Sequence, residues 1–108
     1  MNTTDRLHAL ITMLDADPKD AFCLYGIAQE YASRSEHDQA IEYYDRAIGS
    51  DPSDAYAYFH KARSLESLGL IDKAKDTLRS GMEVAQENND SHAAGELQGY
   101  LQELGAQA

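Results

Sequence analysis

The chain has little with which to build a disulfide, a metal cluster or a phosphate site. A single cysteine, Cys23, excludes an internal disulfide and a cysteine-based metal centre. Its 2 prolines, Pro18 and Pro52, leave long stretches free of helix breakers. The glycines are scattered singly, so no glycine-rich phosphate loop exists. No apolar run approaches the length of a membrane span. The opening Met1-Asn2-Thr3-Thr4-Asp5-Arg6 has no basic lead, and His8 and Thr12 interrupt the apolar stretch behind it. No signal peptide is expected, and a cytoplasmic protein is the default.

Basic residues are also scarce. Lys and Arg number 9 against 19 Asp and Glu, a formal net charge of -10. Such a surface repels phosphate backbones and anionic bilayers, which disfavours nucleic-acid and membrane partners. It fits basic or neutral protein partners. The same excess keeps a small helical protein soluble, and with only 4 lysines it also fits a high-salt host. The 43% hydrophobic content is that of a folded chain. At 108 residues it forms one small domain, whose elements must stack closely to bury a core.

What the chain does have is an echo at 34 residues: Asp17-Pro18 returns as Asp51-Pro52. In the same register Asp20 matches Asp54, Ala21 Ala55, Ala28 Ala62, Ser33 Ser67, Asp38 Asp72 and Ala40 Ala74. Larger positions echo in kind, Phe22 with Tyr56, Tyr25 with Phe59 and Tyr44 with Leu78. A fixed period of this length means stacked repeats.

Inside each period the spacing is helical. Leu24, Ile27, Ala28 and Tyr31 fall on one face behind Asp20, which is placed to cap the helix. A second helix carries Ala40, Tyr43, Tyr44, Ala47 and Ile48. It is expected to end at Gly49-Ser50, with Gly49 as a left-handed cap and Pro52 blocking continuation. The next unit repeats this. Asp54 caps a helix bearing Tyr58, Ala62 and Leu65, the break falls at Gly69, and Asp72 opens a helix bearing Ala74, Leu78, Gly81 and Met82. That helix lacks a closing proline and can run on toward Gln86-Glu87. Asn88-Asn89-Asp90-Ser91 reads as turn and cap. A last helix places Ala94, Leu97, Leu101 and Leu104 on one face. One period back from the first unit, Leu10 aligns with Tyr44, Met13 with Ala47 and Leu14 with Ile48, which makes the start of the chain the second helix of a unit whose first is absent.

The expected architecture is all-α, a short right-handed superhelical stack of antiparallel helix pairs with about six helices. It divides into a half-repeat at 4–16, repeats at 17–50 and 51–87, and a capping helix at 90–105.

These residues resemble the tetratricopeptide repeat. In the first unit the slots of that pattern hold Leu24, Ile27-Ala28, Tyr31, Ala40, Tyr44, Ala47 and Pro52. In the second they hold Tyr58, Lys61-Ala62, Leu65, Ala74, Leu78 and Gly81, with Gln86 in place of the proline. Lys61 departs from the usual leucine. Ala28, Ala40, Ala62 and Ala74 sit where paired helices approach most closely, and a larger side chain there forces them apart.

The resemblance implies that the first helix of each unit lines a concave groove. Its slots hold Phe22, Tyr25, Gln29 and Ala32, then Tyr56, Phe59, Arg63 and Glu66, with His60 alongside. The lysine and asparagine by which some family members grip a C-terminal carboxylate are largely absent. Tyr25 and Gln29, and Phe59 and Arg63, stand there instead. Aromatic and arginine side chains are the types that dominate interfaces. The expected function is therefore a non-catalytic module that binds a protein or peptide in an aromatic groove, as a scaffold or chaperone-like escort by analogy. Two other uses of the aromatics stay open: internal core under a terminal helix, or the interface of a small self-associating structural protein, a homodimer.

No enzyme is expected. His8, His37, His60 and His92 form no His-Glu-x-x-His pair. Glu36-His37-Asp38 lies at a helix start, where acids act as caps. Cys23 reads as packing. No metal site and no cofactor are expected.

Overall fold

The structure, a computed structural model, describes residues 3–106. The reading of the N-terminus that includes Met1 and Asn2 lies in part outside the described residues. Six helices follow one another: α1 Thr3–Ala16, α2 Ala21–Ser33, α3 His37–Ser50, α4 Ala55–Ser67, α5 Ile71–Glu87 and α6 Ser91–Ala106. No strand occurs among the described residues. Each helix packs on its chain neighbours, and α2 and α4 also meet, as do α4 and α6. The result is the expected all-α stack, 39 Å along its longest axis and 21 Å along its shortest.

Three aspartates start three helices in the same way. The Asp20 carboxylate accepts from the amides of Phe22 at 3.0 Å and Cys23 at 3.2 Å. Asp54 accepts from Tyr56 at 3.1 Å, and Asp90 from Ala93 at 3.0 Å. Each satisfies amides that the first turn leaves without partners, worth about 1 kcal/mol. The second helices of the pairs, α3 and α5, start differently. Glu36 makes no side-chain cap to α3, and α5 starts from Leu70 rather than Asp72. Asp38 and Asp72 sit inside the first turn instead, where their charge favours the helix dipole.

The stops also repeat. Ser35, Gly69 and Asn89 have φ of 60°, 78° and 56°. The next amide in each case reaches back to a carbonyl inside the helix: Glu36 to Tyr31 at 2.9 Å, Leu70 to Leu65 at 2.9 Å, and Asp90 to Ala85 at 2.8 Å. This left-handed closure satisfies otherwise orphaned carbonyls. Ser35 and Gly69 are one period apart, so a serine occupies a conformation that glycine adopts without strain. Gly49 is not such a cap. The helix runs through it to Ser50 and stops at Asp51, whose φ of -141° and ψ of 87° are extended. The ring of Pro52 clashes with a helical preceding residue and drives Asp51 out of the helix. Without a proline, α5 runs on to Glu87, and Asn88 then ties it back by donating to the Ser53 carbonyl at 2.7 Å.

Small residues set the spacing within pairs. Ala28, Ala40, Ala62 and Ala74 are all 0% exposed. Gly81 is tighter still, because a Cβ there would lie 2.8 Å from the Tyr58 Cβ. In α1, Leu7, Leu10 and Leu14 are buried, but Met13, aligned above with buried Ala47, is 52% exposed. Among the described helices α1 packs on α2 alone, and Met13 is left outside that contact.

Polar groups join one unit to the next. Arg6 of α1 meets Glu30 of α2 at 2.9 Å. Lys61 of α4 meets Asp45 of α3 at 2.6 Å, which explains a lysine at the leucine slot. His37 of α3 lies 3.1 Å from the hydroxyl of buried Ser64 on α4. The apolar core is correspondingly divided. One cluster runs through α4, α5 and α6, with Ile41 of α3 packed against it, and the others lie in α1, α2 and α3.

Two stability outcomes are expected. Gly81→Ala should destabilise by about 1–3 kcal/mol in urea unfolding, although alanine is the better helix former by about 1 kcal/mol. Wild-type stability or better would remove the close approach as the reason for this glycine. Ser35→Gly should stabilise by about 0.5–1 kcal/mol, the relief of a left-handed serine less the entropy that glycine adds to the unfolded chain. A loss of stability would contradict the strain.

Candidate functional site

The helices α2, α4 and α6 form one face of the stack, on which α4 meets both α2 and α6. On α2 and α4 its residues occupy matching positions after their capping aspartates. Phe22 and Tyr56 come first, then Tyr25 and Phe59, then Gln29 and Arg63. The equivalent slots of α6, counted from Asp90, are His92, Gly95 and Gly99.

Three clefts open along this face. The first, about 530 Å³, lies between the starts of α2 and α4 and is lined by Phe22, Tyr25, Tyr56 and His60, with Asp51 and Asp54 at its edge. The second, about 280 Å³, lies nearer their ends, among Gln29, His37, His60, Arg63 and Ser64. The third, about 420 Å³, lies between α4 and α6, where Phe59, Arg63 and Glu66 face Glu96, Gly99, Tyr100 and Glu103. The structure thus brings all seven expected site residues onto one surface, in unequal settings. Phe22 is 74% exposed, the most exposed large apolar residue described. Arg63 is exposed, whereas Tyr25, Gln29, Tyr56, Phe59 and His60 are half-buried.

Aromatic contacts bind the floor together. The His60 ring sits edge-on to Tyr25 at 5.8 Å and to Phe59 at 5.4 Å. Tyr25 in turn meets the buried Tyr44 edge-on at 5.9 Å. Such contacts add about 0.5–1.5 kcal/mol each to the area they bury. Phe59 also packs on Tyr100 of α6 at 5.3 Å, and both Phe59 and Tyr56 pack against the α4–α6 core. Part of the aromatic stripe is therefore wall as well as floor, supported from behind by the terminal helix.

Tyr100 was not among the residues expected to be buried. The face read from sequence was Ala94, Leu97, Leu101 and Leu104. The buried residues are Ala93, Leu97, Tyr100 and Leu104, while Ala94 and Leu101 are only partly buried. Both sets have helical spacing and share Leu97 and Leu104, so periodicity alone does not separate them. The Tyr100 hydroxyl donates to Glu66, which fixes the ring against α4.

Burial shapes the titration of this surface. It raises Tyr25, Tyr100 and Tyr44, the last to about 12, so these phenols keep their protons. It lowers His60 below 6.5, with Arg63 adding to the effect and Asp54 and Glu96 opposing it. A neutral imidazole therefore sits between Tyr25 and Phe59 near pH 7. No group of histidine, cysteine and carboxylate side chains suited to hold a metal occurs among the described residues. No described helix is long and apolar enough to cross a membrane. The buried Cys23 has its thiol raised by burial, which suits packing rather than reactivity.

An all-α stack of antiparallel pairs with aligned first-helix slots is the signature of a helical repeat protein. The tetratricopeptide-repeat profile matches residues 21–54 and again residues 55–88. The chain belongs to the tetratricopeptide-repeat family. Among relatives, an uncharacterized protein of Methanocaldococcus jannaschii is 30% identical over 71 residues, 66% of this chain and 83% of that one. A tetratricopeptide repeat domain protein from Salinibacter ruber is 31% identical, with a TM-score of 0.75 over 82% of this chain and 89% of the other. The TPR2B domain of yeast Sti1, solved as a pHsp70 complex, shares the fold at a TM-score of 0.91 and 24% identity, covering 98% of this chain and 85% of its own. PcrH in complex with the chaperone binding region of PopD shares it at 0.90 and 21%, covering 97% and 80%.

His60 makes the electrostatics testable. Its ring-proton NMR shift should titrate with a midpoint below 6.5, and Arg63→Gln should raise that midpoint. Because the folded value lies below the unfolded one, the stability that neutral His60 contributes is present above the unfolded value and is lost as pH falls through the folded one. The stability difference between wild type and His60→Gln should shift against wild type over that interval. A midpoint at or above 6.5 would contradict the burial.

Proposed function

We propose that this protein is a non-catalytic interaction module that holds a peptide or protein segment in the concave groove of α2, α4 and α6. The observation that carries this reading is the repetition of interface-type side chains on one surface. Phe22, Tyr25 and Gln29 are followed one unit later by Tyr56, Phe59 and Arg63, with His60 between them. Phe22 supports it most directly. Its side chain joins no core cluster, while an exposed phenylalanine forfeits about 2 kcal/mol that burial would return. The groove is stiff, because its half-buried rings brace one another, and a preformed surface loses little entropy on binding. Two of the structural neighbours were solved as complexes, with pHsp70 and with the chaperone binding region of PopD. They share the fold, and their complexes favour a peptide or protein as the ligand.

The module acts as a monomer offering its groove to a different chain, and the -10 charge opposes self-pairing of this face. The expected setting is the cytoplasm, and nucleic acid and membranes are not its partners.

A random peptide library displayed on phage, selected against the full chain, tests the reading. Selected peptides should shift the amide resonances of α2 and α4 and weaken by about 10-fold or more on Phe22→Ala, an exposed site whose change leaves folding intact. Shifts confined to α3 and α5, with unchanged affinity for the variant, would defeat it. So would a concentration-independent dimer that Phe22→Ala dissolves.

A further inference from the structure

We infer that the cleft between α4 and α6 receives a basic side chain, arginine or lysine, from the segment bound in the groove. The inference rests on the interaction-module reading and adds a ligand chemistry to one part of that surface.

The cleft has the dimensions and wall for such a side chain. About 420 Å³ of space is bounded by the rings of Phe59 and Tyr100, inclined at 52° to one another. A guanidinium or ammonium group gains from lying on such ring faces. The Tyr100 ring does not turn away to refill the space, because its hydroxyl is bonded to Glu66.

One of the glycines of α6, Gly99, borders this space. Gly95 and Gly99 stand where the preceding unit places Phe59 and Arg63. A Cβ at either position would meet nothing within 4 Å, so no internal close approach requires them. Gly81 and Gly26, by contrast, are held by close neighbours. A glycine inside a helix costs about 1 kcal/mol relative to alanine. Gly99 lines the cleft, and the open backbone there keeps clear the volume that an arginine in register would fill.

The charge selects the occupant. Glu66 on α4 and Glu96 and Glu103 on α6 line the cleft, with Arg63 the one basic residue among them. Arg63 and Glu66 lie one turn apart on the same helix and offset each other. The two carboxylates of α6 then set the sign. An acidic ligand group would be repelled here, and the -10 charge of the chain adds to that. A cation held by carboxylates and aromatic faces makes charge-assisted bonds in a partly desolvated site. His92 approaches Glu96 at 2.6 Å, but its own side chain is 78% exposed and does not line the cleft.

The test uses a groove-binding peptide from the library selection, synthesised with arginine, leucine or glutamate at a single scanned position. At the position nearest α6 the arginine peptide should bind about 10-fold tighter than the leucine peptide and shift the Glu96, Gly99 and Glu103 amides. Glu96→Gln with Glu103→Gln should abolish that preference and leave the leucine peptide unchanged, since both residues are exposed. Gly99→Met should raise thermal stability by restoring helix propensity while removing the arginine preference, a combination that a purely structural glycine would not produce. Equal affinity of the arginine and leucine peptides, or tightest binding of the glutamate peptide, overturns the inference and leaves the groove standing if shifts remain on α2 and α4. Shifts on α3 and α5 alone overturn both.

Discussion

Everything in this structure depends on how closely two helices of a pair can approach. Ala28 and Ala40 in one pair, and Ala62 and Ala74 in the next, are buried to 0%. Gly81 leaves no room for even a methyl group beside Tyr58. At this separation side chains interlock over the length of both helices, and dispersion and burial act over many atoms at once. A pair fixed in this way has one face toward its partner helix, one toward the next pair, and one left over. The groove is that remaining face. Tyr25 and Phe59 line up because the alanines force successive pairs into the same geometry.

Much of this was legible in the chain itself, and the reason is periodicity. A residue whose role is set by the repeat appears twice, so Asp20 and Asp54 announce the helix starts. What was not legible lies where the repeat ends. Tyr100 has no counterpart to compare, and two helical stripes through Leu97 and Leu104 fit α6 equally well. Met13 aligns with a buried alanine, but among the described helices α1 packs on α2 alone and leaves it uncovered. Gly49 looks like a left-handed cap, yet Pro52 acting through Asp51 is what stops α3. The candidate site was legible in its central part, Phe22 through Arg63, and hidden at its α6 wall, which depends on a three-dimensional contact that no spacing encodes.

The residues that depart from the family pattern have local causes. Lys61 occupies a leucine slot and gives its charge to Asp45 across the seam between units. The helix without its proline is held instead by Asn88 on the Ser53 carbonyl. In both cases an apolar or steric device is exchanged for a polar one. Polar devices at partly exposed sites contribute about 1 kcal/mol or less, so they add direction to a pair whose closure still rests on its packed alanines and Gly81.

The seam between α3 and α4 carries this exchange furthest, and it bears on how the molecule comes apart. In stacked repeats, global cooperativity is set by the coupling between neighbours as much as by the stability of each unit. Here Lys61–Asp45, His37–Ser64 and the partly buried Ile41 bridge a boundary at which the buried apolar clusters separate. Hydrogen exchange would see such a chain as two foldons rather than one. The groove spans that boundary, with Phe22 and Tyr25 on one side and Tyr56 and Phe59 on the other. A segment lying across it would weld the two halves, and the bound protein would unfold as a single unit.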